Sequence, residues 1–70
     1  MKLDEWQFED LSDLFYHADD VVWRAKAMAG LAESLGDREI EKQCRLILHT
    51  ARKIRDYARE ILGDDFYDWR

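Results

Sequence analysis

Two histidines, one cysteine, two serines and sixteen carboxylates are the side chains of this 70-residue chain that could move a proton, attack a carbon or hold a metal. Their spacing supports none of these. His17 and His49 lie in different layers of any antiparallel pairing of the two halves, with His17 opposite the neighbourhood of residue 55. Neither has a cysteine or carboxylate at zinc-ligand spacing. Ser12 and Ser34 have no histidine at hand for activation, and the carboxylates have no cleft to shift their pKa. The expectation is a protein that is not an enzyme and needs no metal or cofactor.

Recognition is better represented than catalysis. Tyr16, Trp23, Ala27 and Gly30 lie nearly opposite the apolar stripe of the first half when it is wound as a helix. A tryptophan on the wet side of an amphipathic helix is unusual, and aromatics are enriched where partners bind. The face either binds a protein partner or packs on another subunit or the chain's own tail. Arg38, Lys42, Arg45, His49, Arg52 and Arg59 form a basic stripe on the second half, broken by Asp56. Such a stripe could track phosphates or meet an acidic protein. It is equally what a solvated face looks like, with Glu39, Glu41 and Glu60 near enough for local ion pairs. The tail from residue 63 to 70 holds Phe66, Tyr67 and Trp69 among three aspartates. It reads as a cap on the open end of the fold or as a docking peptide.

Two helices must position these residues. In the second half, Ile40, Cys44, Ile47, Ala51, Ile54, Ala58 and Ile61 recur at alternating spacings of four and three, the period of one helix face. Written as heptads, small residues fill every a position and isoleucine every d position. The first half has Leu11, Ala18, Ala25 and Ala32 at a, and Leu14, Val21, Met28 and Leu35 at d. Phe15, Val22 and Ala29 at e widen its stripe, as a helix inside a bundle requires. Asp4 with Gln7 makes a capping box, with Leu3 and Phe8 placed as a hydrophobic staple. Gly36 stops the first helix, Asp37 caps the second and Gly63 ends it. The reading is all-α: an antiparallel hairpin of helices over about 5–35 and 38–62, in one domain spanning 1–70. Facing residues then pair as Ala32/Ile40, Met28/Cys44, Ala25/Ile47, Val21/Ala51, Ala18/Ile54 and Leu14/Ala58. Each pair sets a larger side chain against a smaller one, as close packing demands.

A chain this short rarely buries enough apolar surface alone, and one cysteine in a core position cannot form an internal disulfide. That points to a reduced, cytoplasmic setting and to a homodimer, two hairpins forming a four-helix bundle with Leu48 and Leu62 flanking the core. No apolar run is long enough to span a membrane and no signal-peptide pattern opens the chain. Charge is uneven within a net −5: residues 4–35 carry eight acids and two bases, residues 38–62 seven bases and four acids. This favours antiparallel pairing of the helices and disfavours general nucleic-acid binding.

Small residues at a and larger aliphatics at d in a short hairpin resemble the pattern of the repressor-of-primer (Rop) family, over residues 11–61. The resemblance implies a dimeric antiparallel four-helix bundle and an RNA-binding regulator. That family contacts RNA mainly through its first helix, which here is acidic; the basic stripe lies on the second. The leading functional expectation is a small dimeric protein that binds and modulates or inhibits another protein, such as a host transcription regulator or an ATPase. Its size and architecture are similar to accessory proteins of phages and mobile elements. The alternative is a Rop-like nucleic-acid-binding regulator.

Overall fold

The computed structural model describes residues 3–63, and the tail aromatics Phe66, Tyr67 and Trp69 lie outside them. Two helices account for nearly all of the rest: α1, Glu5–Leu35, and α2, Arg38–Leu62. Their ends obey local chemistry. The Gln7 amide donates to Asp4 Oδ1 at 2.9 Å and the Asp4 amide donates to Gln7 Oε1 at 3.1 Å, closing the capping box. Leu3 and Phe8, placed as the staple, both pack on a cluster of Phe15, Ala58 and Leu62. Gly36 takes the left-handed conformation at φ 75°, and its amide and that of Asp37 donate to the carbonyls of Glu33 and Ala32. Asp37 Oδ1 in turn accepts from the Ile40 amide at 3.0 Å. Two residues thus end one helix and start the next, so the pair must run antiparallel.

The seam between the helices differs in one respect from the expected layers. The small member of each layer is buried: Ala18, Ala25, Ala32, Cys44, Ala51 and Ala58 are at most 7 % exposed. The large member is not. Leu14, Val21, Met28, Ile40, Ile47 and Ile54 keep 40–53 % of their surface. What fills the seam beside the small residues is the e column, with Phe15, Val22 and Ala29 from α1 and Leu48 and Leu62 from α2. One cluster joins Val22 and Ala25 to Leu48 and Ala51, so large still meets small, through e in place of d. Leu48 and Leu62, expected to flank the core, therefore belong to it.

The reason is geometric. At 100° per residue, d lies about 60° to one side of a, and e about 40° to the other. A single neighbour can cover a and one flank only. The e flank also carries the charges that reach across. Arg55 Nη1 lies 3.2 Å from Asp19 Oδ1, and Arg45 Nη2 lies 3.6 Å from Glu33 Oε2. An acidic helix beside a basic one thus finds its partners on that side, and the apolar d flank is left open.

Ala25, fully buried, tests the closeness of the seam. Ala25→Leu is expected to cost about 1–3 kcal/mol by overpacking, read as a lower midpoint in urea or thermal melts. An unchanged or raised midpoint would mean that the helices stand further apart.

Candidate interaction surfaces

Among the described residues, no group of histidine, cysteine, aspartate or glutamate side chains is arranged to hold a metal ion. His17 lies in an open groove and His49 on the exposed outer side of α2. Cys44 is a free thiol buried in the seam. No helix among the described residues is long and apolar enough to cross a membrane.

The open d flank is an apolar feature of the hairpin. Leu14, His17, Ala18 and Val21 from α1 and Gln43, Leu46, Ile47, Thr50, Ala51 and Ile54 from α2 line one groove along the hairpin. Its floor is the pair of seam alanines; its walls are the large d residues. Met28 and Leu35 continue the α1 column toward the turn, and Ile40 and Ile61 extend the α2 column at either end. Leu31, Leu46 and Tyr57, at 63 %, 53 % and 67 % exposure, stand on or beside the same face. Sequence reasoning placed the d residues in the hairpin's own core and passed over Leu31, Leu46 and Tyr57. The available signal was arithmetic: the chain has more large apolar columns than one seam between two helices can cover.

Trp23 stands elsewhere, as its heptad position requires. It is 64 % exposed, and the f column that holds it lies about 160° round the helix from the d column of the open face. Lys26 Nζ sits over the indole at 5.5 Å from the ring centroid, a cation–π contact within one turn. Tyr16, a further two turns toward the N-terminus, is 37 % exposed and packs edge-on against Phe15, with centroids 5.5 Å apart. Ala27 is exposed, and a Cβ built on Gly30 would meet nothing within 4 Å. The hairpin itself gives no packing reason for a glycine there.

The basic stripe is partly engaged. Arg45 donates to Glu41 Oε2 through Nε at 3.0 Å and Nη2 at 2.8 Å. These hydrogen bonds first, then the charges of Glu41 and Glu33, hold its pKa above the ordinary guanidinium value. Glu39 is hydrogen-bonded to Gln43 at 3.1 Å. Arg38, Lys42, Arg52 and Arg59 make no ion pair among the described residues. The stripe therefore combines Arg45, held in an ion-pair network, with Arg38 and Lys42 on its turn side and Arg52 and Arg59 on the other.

Comparison of the chain with protein-family models, with curated proteins and with solved structures gave no match.

Trp23→Ala removes an exposed ring and one lysine contact, so stability should change by no more than about 0.5 kcal/mol. Circular dichroism and a urea midpoint read this directly. A large loss of helicity would make Trp23 a structural residue.

Proposed function

We propose that this chain is a non-enzymatic interaction protein that acts as a homodimer and binds another protein through the outer face of α1. The observation that carries the reading is the segregation of two surfaces. A continuous apolar face (Leu14, Val21, Met28, Ile47, Ile54, Ile61) is open along one side of the seam, and two aromatics, Tyr16 and Trp23, lie well round the helix from it. Contiguous apolar faces of this kind mark interfaces, whereas scattered exposed leucines do not. A second copy suits the face because that face is itself built of large ridges beside an alanine floor. Two such faces can interdigitate into a four-helix bundle, giving each large d residue small neighbours.

The bundle would leave Tyr16 and Trp23 outward in both copies. Exposed tryptophan is a strong hot-spot former, and the surrounding Glu9, Asp13 and Asp20 give the surface a negative rim. The mechanism would be masking: a rigid rod occupies the surface a partner uses for its own contacts and so modulates or inhibits it. The nucleic-acid reading is supported only by the cations of α2 that form no ion pair among the described residues, against seven acids on α1.

Sedimentation at micromolar concentration should show a dimer. Replacing Ile47 and Ile54 with glutamate should weaken association at least about 100-fold, because it places charges in an apolar contact. A stable, fully helical monomer for the unaltered chain would overturn the dimer. Partner binding is read separately. Capture from host extract should be lost on Trp23→Ala and kept on Arg45→Glu/Arg52→Glu; the reverse, with steep salt dependence, would move the function to nucleic acid.

A further inference from the structure

We infer that the bound protein presents a basic amphipathic segment to the outer face of α1. Its lysines or arginines meet Glu5, Glu9 and Asp13, and its apolar anchor lies on Trp23. The inference rests on the reading of that face given above and adds the chemistry and direction of what binds there.

The N-terminal half of α1 carries a groove of about 700 Å³. Leu3, Phe8 and Tyr16 supply its apolar surface and Asp4, Glu5, Glu9 and Asp13 its charge; among the described residues no lysine, arginine or histidine lines it. Nothing described in the hairpin offsets these carboxylates. Glu5, Glu9 and Asp13 stand at intervals of four, so each repels the next along the helix. Elsewhere the chain sets opposite charges at that spacing, Asp20 with Arg24 at 2.7 Å and Glu41 with Arg45 at 2.8 Å. Glu5, Glu9 and Asp13 make no ion pair among the described residues, and α1 holds no lysine or arginine before Arg24. Arg55, which reaches α1 from α2, is held by Asp19. Arg59, one turn nearer the open end, does not line the groove. The helix dipole favours acids within the first turn, which accounts for Glu5 and leaves Glu9 and Asp13 without a reason in the fold.

Charge also sets the direction of the bound segment. Glu9, Tyr16 and Trp23 follow one another every seven residues along one outer column, two turns or about 10 Å apart. On the far side of Trp23 stands Lys26, whose ammonium lies 5.5 Å from the indole centroid. Unpaired carboxylates thus lie toward the start of the helix from the tryptophan, and a cation lies toward its end. A segment with its apolar residue on Trp23 is held best when its basic residues point to the start of α1. The chain's own residues 64–70 carry three aspartates and one arginine, the wrong sign for this groove.

The probe is a synthetic helical peptide with arginines along one face and leucines at one end of it, titrated into the full chain at low salt. It should shift the NMR signals of the Glu5, Glu9 and Asp13 amides and of the Trp23 indole N–H. Glu9→Gln/Asp13→Asn should weaken binding roughly tenfold, and salt at about 1 M, where screening shortens to about 3 Å, should weaken it at least as much. Glu39→Gln/Glu60→Gln removes the same charge from α2 and should leave affinity within about twofold. Relief of repulsion should hold or raise the melting temperature of Glu9→Gln/Asp13→Asn. No binding, equal losses in the two double variants, or shifts confined to α2 or the d face overturn the inference. A fall in melting temperature does so too, because it makes the carboxylates structural. Capture of a host protein that survives Glu9→Gln/Asp13→Asn but is lost on Trp23→Ala overturns the basic segment and leaves the outer face as the binding surface. Capture unchanged by Trp23→Ala removes the outer-face reading itself.

Discussion

The seam of small residues is the constraint from which the rest of this structure follows. Alanine or cysteine at the inner position of nearly every heptad lets two helices approach closely, and close approach lets the e residues of each reach the other. Once a and e are covered, no room remains for d. The same side chains that would have filled a wider two-helix seam are turned to one flank, where they become a face. The hairpin is therefore two-sided across its seam: ion pairs Asp19–Arg55 and Glu33–Arg45 span one flank, and isoleucine, leucine and valine line the other.

That division separates what the surfaces can do. A face that associates with a copy of itself and a face that recognises something else compete if they overlap. Here the d column and the f column are about 160° apart on α1, so occupation of one leaves the other free. Charge adds a further distinction. The exposed ion pairs contribute about 0–1 kcal/mol each at most, too little to hold the helices together, but enough in number to disfavour a parallel or shifted pairing.

Much of this was legible in the residues and their spacing. Asp4 with Gln7, Gly36 with Asp37, and Gly63 fixed both helices to the residue, because caps act locally and depend on a few atoms within one turn. The burial of Cys44 and of the alanines followed from the heptad period. The side of the seam did not. Period identifies the columns on the inward half of a helix, but which flank meets the neighbour depends on how near the axes lie and on charges such as Asp19 and Arg55, far apart in the chain. Leu48 was placed at the rim and lies in the core for that reason. Of the recognition surface, Trp23 could be located from its heptad position alone.

The distribution of side-chain size ties folding to assembly. Inside the hairpin the seam is mostly alanine, and Phe15, Val22, Leu48 and Leu62 are its main large contributions. Full burial of a large aliphatic side chain is worth about 1.5–3 kcal/mol, and an alanine methyl much less. The larger share of the chain's aliphatic surface lies on the open face, half in water. A single hairpin thus orders some sixty residues, Leu3 to Gly63, against a thin core. Covering the d face supplies the burial that the seam omits, and it does so only when another surface is present. In the proposed dimer, stability would scale with the logarithm of protein concentration, as for any fold completed by association. The regular isoleucines of α2 are on this account less a core than an interface, and the alanines beneath them are what allow it to be flat, continuous and repeated along the rod.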